Sequence, residues 1–361
     1  MTASRQDKHL KPGSDFTRFC VFCGGAPRGR TNEHVVPLWL IELTGNPNRR
    51  VNLHTELTAP LKTKTFAFDQ FQFPACGDCN GRFAHLEQRV EPIMRAILQN
   101  GYLDECDWDV LLSWFDKVRV GLWLSKYFLG KNSLGLKPRF QIAQRIDIRD
   151  RAILLFRRKS DSQGLTFGGT FLPSFDCSPT SFALFVNNYM FVNLTSTDLC
   201  SHRLGFPSFQ PIADQGDRIV GKQRLGIKRV ISPVLRGVPH IRGTGIYQPI
   251  YHGLLTGLED RTQVVDEYVS TNSLDEERGI GGVFLQKNGK AARYPGGKSN
   301  AWLPPSQLTN RELVRIAHSA VYQHQIAEMQ GAVRIGSAEQ KKSLRELISG
   351  CRKALKTLLE C

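Results

Sequence analysis

The chain has 361 residues, 41% of them hydrophobic and 9% aromatic, which is ample for packed cores and long enough for two or three units. Its formal charge of +15 biases partners toward polyanions, nucleic acid first among them. No run of about 18 or more apolar residues occurs, and the leading MTASRQDKHLKPGSDF lacks the apolar stretch of a secretory signal, so a cytoplasmic protein without a membrane partner is expected.

Residues 1–17 are polar, without periodicity, and are expected to form a flexible lead. Residues 18–96 are dense in Gly, Pro, Cys and polar residues, the composition of a small metal-organised module. From Leu98 to Gly130, Trp108, Leu111, Leu112, Phe115, Val118, Leu122 and Trp123 recur at three- and four-residue steps and predict an amphipathic helix that docks the module. AILLF (152–156), LTFGGTFL (165–172) and FALFVNNYMFVNL (182–194) predict an antiparallel sheet of at least three strands. Residues 205–300 are rich in Gly and Pro. Within them, Gly216–Arg242 carries Lys222, Arg224, Lys228 and Arg229, which is either a phosphate-contacting surface or a solvated loop or strand with basic edges. Residues 287–300 predict a second basic loop. Two helices close the chain: Thr309 and Glu312 have capping-box spacing, and Leu344, Leu347, Ile348, Cys351, Leu355 and Leu358 form one apolar stripe with Lys342, Arg345, Lys353 and Lys356 outside it. The whole is expected to be α+β, with residues 97–361 a mixed regulatory or DNA-binding region.

The chemistry concentrates in the first quarter. Cys20-Val-Phe-Cys23 and Cys76-Gly-Asp-Cys79 are two CxxC turns, each able to present two thiolates to one tetrahedral zinc whose binding contributes about 10 kcal/mol or more to folding in small modules. A redox CxxC would need a thioredoxin-like strand and helix around it, which this segment lacks. Cys106, Cys177, Cys200, Cys351 and Cys361 are scattered and are expected to be buried or free thiols. Between the pairs lies Thr31-Asn32-Glu33-His34-Val35-Val36-Pro37, a β-prone run stopped by proline. A neutral imidazole can take a proton from water near neutral pH, and a carboxylate suits Mg2+ or Mn2+. Taken alone, the pair would be a surface Glu beside a packed His; the flanking knuckles change that. Asn80 follows Cys79 directly at the start of a predicted helix ending or kinking by Pro92, either as a metal ligand or as an ordinary N-cap.

Cys20-x-x-Cys23, Glu33-His34-Val-Val-Pro37 and Cys76-x-x-Cys79-Asn80 together resemble the HNH endonucleases, the zinc-knuckle branch of the ββα-metal (His-Me finger) nucleases, over about residues 18–92. The resemblance implies a two-stranded hairpin and a helix around one catalytic Mg2+ or Mn2+, with structural zinc bracing both ends. It implies His34 as general base, Glu33 and Asn80 as ligands of the catalytic ion, and Asn52, or failing that Asn48, as the residue steadying the base. His85 and Glu87, further along the same helix, are either additional ligands or structural, and Arg82 stands where the family often has a lysine. The implied substrate is DNA, most simply double-stranded. An HNH module joined to a large further region is similar in architecture to effectors of bacterial antiphage systems, including the HNH component of type II Zorya, which implies other defence-system proteins as partners. The competing readings are a zinc module that binds nucleic acid without cutting it, and a nuclease that cuts RNA.

Overall fold

The short apolar runs between the cysteine pairs are too brief to make a core alone, and they pack instead on one long helix that follows them. The computed structural model describes residues 17–46, 48–56, 62–159, 163–171, 173–196, 208–214, 219–224, 243–250, 275, 278–287, 290–300, 305 and 309–360. After the first knuckle come β1 (Thr31–His34) and a short helix α1 (Leu38–Leu43); β2 (Arg50–Glu56) and β3 (Lys62–Ala67) then form an antiparallel hairpin. β4 (Gln72–Ala75) returns to pair antiparallel with β1, placing Glu33 opposite Phe73 and His34 opposite Gln72, and α2 (Gly77–Leu98) leaves straight from the second knuckle. The long gap between the cysteine pairs is thus a two-stranded ribbon with a helix and a second hairpin inserted into it.

Pro92 lies inside α2 and does not end it. The missing N–H costs one intrahelical bond, but Val90, Ile93, Met94 and Ile97 form a buried stripe that continues on both sides of the proline and carries the helix to Leu98. The expected boundary at residue 96 consequently falls within a helix.

β5 (Tyr102–Leu103) leads into α3 (Glu105–Leu129), opened by a reciprocal cap in which the Asp107 N–H donates to Asp104 and the Asp104 N–H donates to Asp107, both at 2.9 Å. The expected amphipathic helix is a helix buried all round: every residue from Val110 to Phe128 is inaccessible, Asp116, Lys117, Arg119 and Lys126 included. Enclosure on all sides removes the polar face that a docking helix would keep. Gly121 lets α3 come close to the N-terminal strands, because a Cβ there would sit 2.7 Å from Val35 Cγ1.

The other side of α3 carries the sheet. It is built from β6 (Asp150–Arg157), β7 (Leu165–Gly168), β8 (Ser181–Val186) and β9 (Tyr189–Ser196), with a short helix α4 (Pro173–Cys177) between β7 and β8. β10 (Ser208–Asp214) and β11 (Ile219–Arg224) form a separate hairpin, and β12 (Gly243–Gln248), β13 (Phe284–Lys287) and β14 (Lys290–Arg293) complete a seven-stranded antiparallel sheet in the order β14-β13-β12-β6-β9-β8-β7. The apolar run 182–194 is therefore two strands joined at Asn187-Asn188, with Asn187 at φ 51° supplying the left-handed turn residue. Residues 287–300 contribute the β13–β14 hairpin and β15 (Ser299–Asn300), which pairs with β5, where a basic loop was expected. β6, β8 and β9 are buried on both faces, so they read as continuous apolar runs.

Phe115 of α3 packs against Phe182 and Phe191 on one face of the sheet. The other face receives α5 (Asn310–Ile335), whose His324 Nε2 lies 2.7 Å from the Thr195 carbonyl. α5 begins with the predicted capping box, the Thr309 N–H donating to Glu312 Oε2 at 2.7 Å. α6 (Ala338–Glu360) returns along α5, with Leu344, Leu347, Ile348, Cys351 and Leu355 clustered against Ile326 and Met329. A single hydrophobic cluster runs from Cys20 to Val321, so the N-terminal module and the sheet share a core through α3. Among the described residues no helix is long and apolar enough to cross a membrane.

Candidate functional site

The four cysteines meet because β4 delivers the second pair to the first. The Val21 N–H donates to the Pro74 carbonyl at 2.9 Å, Gly24 takes φ 81° in the first turn, and Cys76 occupies the N-cap of α2 with Cys79 in its opening turn. All four Sγ atoms lie within 4.8 Å of one another, and those of Cys23 and Cys76 are 3.9 Å apart. Tetrahedral zinc with bonds of about 2.3 Å places its sulfurs about 3.8 Å apart. The Cys76 N–H points to Cys20 Sγ at 3.3 Å and the Arg28 N–H to Cys76 Sγ at 3.4 Å, the amide-to-sulfur bonds that steady thiolate ligands. Burial opposes ionisation of Cys20, but the amides of Cys23, Cys76 and Phe22 outweigh it and hold the thiol below its ordinary value. Burial and the neighbouring Cys20 and Cys23 push Cys79 up to about 12. Four thiols this crowded deprotonate together only around a cation, and the set can hold a structural metal such as zinc.

A second cluster forms where β1, α2 and α3 meet. Glu33 is buried at the end of β1, and its Oε1 is ion-paired with Lys117 Nζ of α3, although without the angles of a hydrogen bond. The same ammonium reaches Glu87 Oε1 of α2 at 2.5 Å and donates to the His34 carbonyl at 3.3 Å. Two carboxylates thus share one ammonium. Burial pushes Glu33 above the usual carboxylate range; Lys117 pulls it down and Glu87 pushes it up again. Burial also acts to lower Lys117, but the charges of Glu33 and Glu87 overcome it and leave the ammonium firmly protonated. His34 is half-buried, burial lowers its pKa and keeps the imidazole neutral, and its Nε2 is enclosed with no partner among the described residues.

Asn80 is the fourth residue of α2, one turn inside the helix and not at its N-cap, and its side-chain amide makes no hydrogen bond among the described residues. Glu87 lies seven residues on, on the same face. His85 is exposed; two residues from Glu87, it points to the opposite side of the helix and is not brought to the cluster. Arg82 is exposed, its guanidinium 5.1 Å from the Phe83 ring, which itself stacks on Phe22 of the first knuckle. Asn52 sits on the β2–β3 hairpin, exposed, its Oδ1 accepting from the Thr65 hydroxyl at 2.8 Å. Asn48 is exposed on the loop before that hairpin. Lys222 and Arg224 lie on β11 opposite Gln210 and Ser208; Lys228 and Arg229 lie outside the described residues.

Sequence reasoning missed Lys117. A charged residue between Trp114-Phe115 and Val118, in a helix with apolar residues at every phase, was the signal. No protein-family model, curated protein or solved structure matches this chain.

Proposed function

We propose that this protein is a metal-dependent endonuclease of the HNH kind that hydrolyses DNA phosphodiester bonds, with zinc on Cys20, Cys23, Cys76 and Cys79 as scaffold. The observation that carries the reading is the cluster of Glu33, His34 and Glu87, a partly buried set with more carboxylates than cations and an imidazole nitrogen unpartnered among the described residues, carried by the strand and the helix that follow the two knuckles. An excess of carboxylates over cations suits a divalent cation. Glu33 and Asn80 would hold Mg2+ or Mn2+, with Glu87 as a further oxygen donor. When bound, such an ion stabilises the charge that develops on the phosphate and on the leaving oxygen.

The chain's own groups supply the rest. The neutral imidazole of His34 takes the proton of the attacking water, and burial keeps it in the accepting form at neutral pH. The knuckles fix the start of α2, which carries Asn80, and the end of β4, which pairs with the strand that carries Glu33. The net charge of +15 favours a polyanionic substrate.

The test is cleavage of supercoiled plasmid with Mg2+ or Mn2+, alongside metal analysis of the purified protein. About one zinc per chain is expected, with His34→Ala slowing cleavage at least about 100-fold. Equal cutting by wild type and His34→Ala would sink the proposal. Tight DNA binding without cleavage in any metal would point to a non-catalytic zinc module, and preferential cutting of structured RNA would move the substrate.

A further inference from the structure

Lys117 is 1% exposed, yet it lies on a helix whose neighbouring positions are filled by Trp114, Phe115, Val118 and Val120. An ammonium carries three N–H groups, and three oxygens from two different elements surround this one: Glu33 Oε1 and the His34 carbonyl from β1, and Glu87 Oε1 from α2. Gly121, one turn further along α3, permits the approach to Val35 that brings the lysine within reach. In both carboxylates Oε1 is the atom that meets Lys117. Neither Oε2 has a hydrogen-bond or ion-pair partner among the described residues.

A lysine that served packing alone would be matched by one acid, as Lys126 is by Asp176. The second carboxylate, Glu87, is only partly exposed, and it leaves the cluster one negative charge in excess, which a bound cation would offset. We infer that Lys117 is a positioning residue, holding Oε1 of Glu33 and of Glu87 so that the second oxygen of each remains for a shared divalent cation. It does for the carboxylates what a second group does for a metal-bound histidine, fixing the ligand's orientation before the metal arrives. The inference rests on the metal-dependent reading of the same cluster.

The experiment is Mn2+ titration by calorimetry on zinc-loaded wild type, Lys117→Met and Lys117→Arg, with thermal melts and plasmid kinetics on the same samples. Folded Lys117→Met is expected to bind Mn2+ at least about tenfold more weakly, with zinc content unchanged. In kinetics, kcat should fall while KM for plasmid stays. Should Lys117→Met not fold, Lys117→Arg carries the test: it keeps the charge, but its planar fork does not match three oxygens converging on one atom, so weaker Mn2+ binding is again expected. Mn2+ affinity equal to or tighter than wild type in either folded variant would overturn the inference. Lys117-dependent Mn2+ binding without any cleavage would leave it standing and remove the nuclease reading. His34-dependent cleavage with unaltered Mn2+ binding in the Lys117 variants would do the reverse.

Discussion

Asp116 and Lys117 are neighbours on one helix, both fully buried, and they belong to two quite different ionic clusters. Asp116 faces the sheet, where it meets Arg119 at 2.7 Å and Arg151 at 3.3 Å, while Arg151 also holds Asp109 at 2.9 Å and Asp147, and Arg278 closes on Asp147 at 2.5 Å. Three carboxylates there answer three guanidiniums, and Gln248, Ser113, Asn193 and the Pro179 carbonyl take further donors. Lys117 faces β1 and α2, where one ammonium answers two carboxylates and His34 Nε2 is left without a partner among the described residues. Burial is the same on both sides of the helix. Charge balance and hydrogen-bond saturation differ, and on the proposed reading they separate a cluster that holds the protein together from one that binds a cation.

The comparison breaks most readily at Arg151. Arg151→Met removes the guanidinium shared by Asp109, Asp116 and Asp147 and is expected to cost about 3–5 kcal/mol in urea unfolding, with Mn2+ affinity of the folded protein unchanged. A matching loss of Mn2+ affinity would show that the two clusters are one.

A smaller effect is expected at Asp147. Burial alone would raise its pKa, but Arg151, the Ser113 hydroxyl and Arg278 outweigh burial and hold the carboxyl below its ordinary value. A depressed carboxylate contributes stability above its unfolded pKa and loses it as pH falls through the folded one. Asp147→Asn should therefore be less stable than wild type by about 2 kcal/mol at pH 7, with the gap closing as the pH drops below about 4. A gap that does not change with pH would mean that the hydrogen bonds matter and the charge does not.

The smallest effect has the opposite sign. Because burial makes the charged form of Glu33 costly at neutral pH, Glu33→Gln leaves Lys117 with one acid and should raise stability by about 1 kcal/mol while weakening Mn2+ binding. A loss of stability would place Glu33 with the structural pairs.

The sequence by itself determined everything that depends on short spacing. Two CxxC turns, Glu33 beside His34 and Asn80 after Cys79 are written as adjacent residues, and the cap at Thr309 and Glu312 and the apolar stripe of α6 follow from local periodicity. Periodicity reports how apolar residues recur, however, and not what encloses them. α3 therefore reads as amphipathic when it is buried on every side, Pro92 reads as an end or a kink, and Asn187-Asn188 is lost inside an apolar run.

Tertiary structure decided which polar groups meet. His85 and Glu87 are two residues apart and equally plausible on paper, yet the helix turns one to solvent and the other onto Lys117. Lys117 and Glu33, 84 positions apart in sequence, are brought together where α3 packs beside β1, a close approach that Gly121 accommodates next to Val35. A buried charge takes its meaning from the number and sign of its neighbours, and those are set by packing between elements distant in the chain.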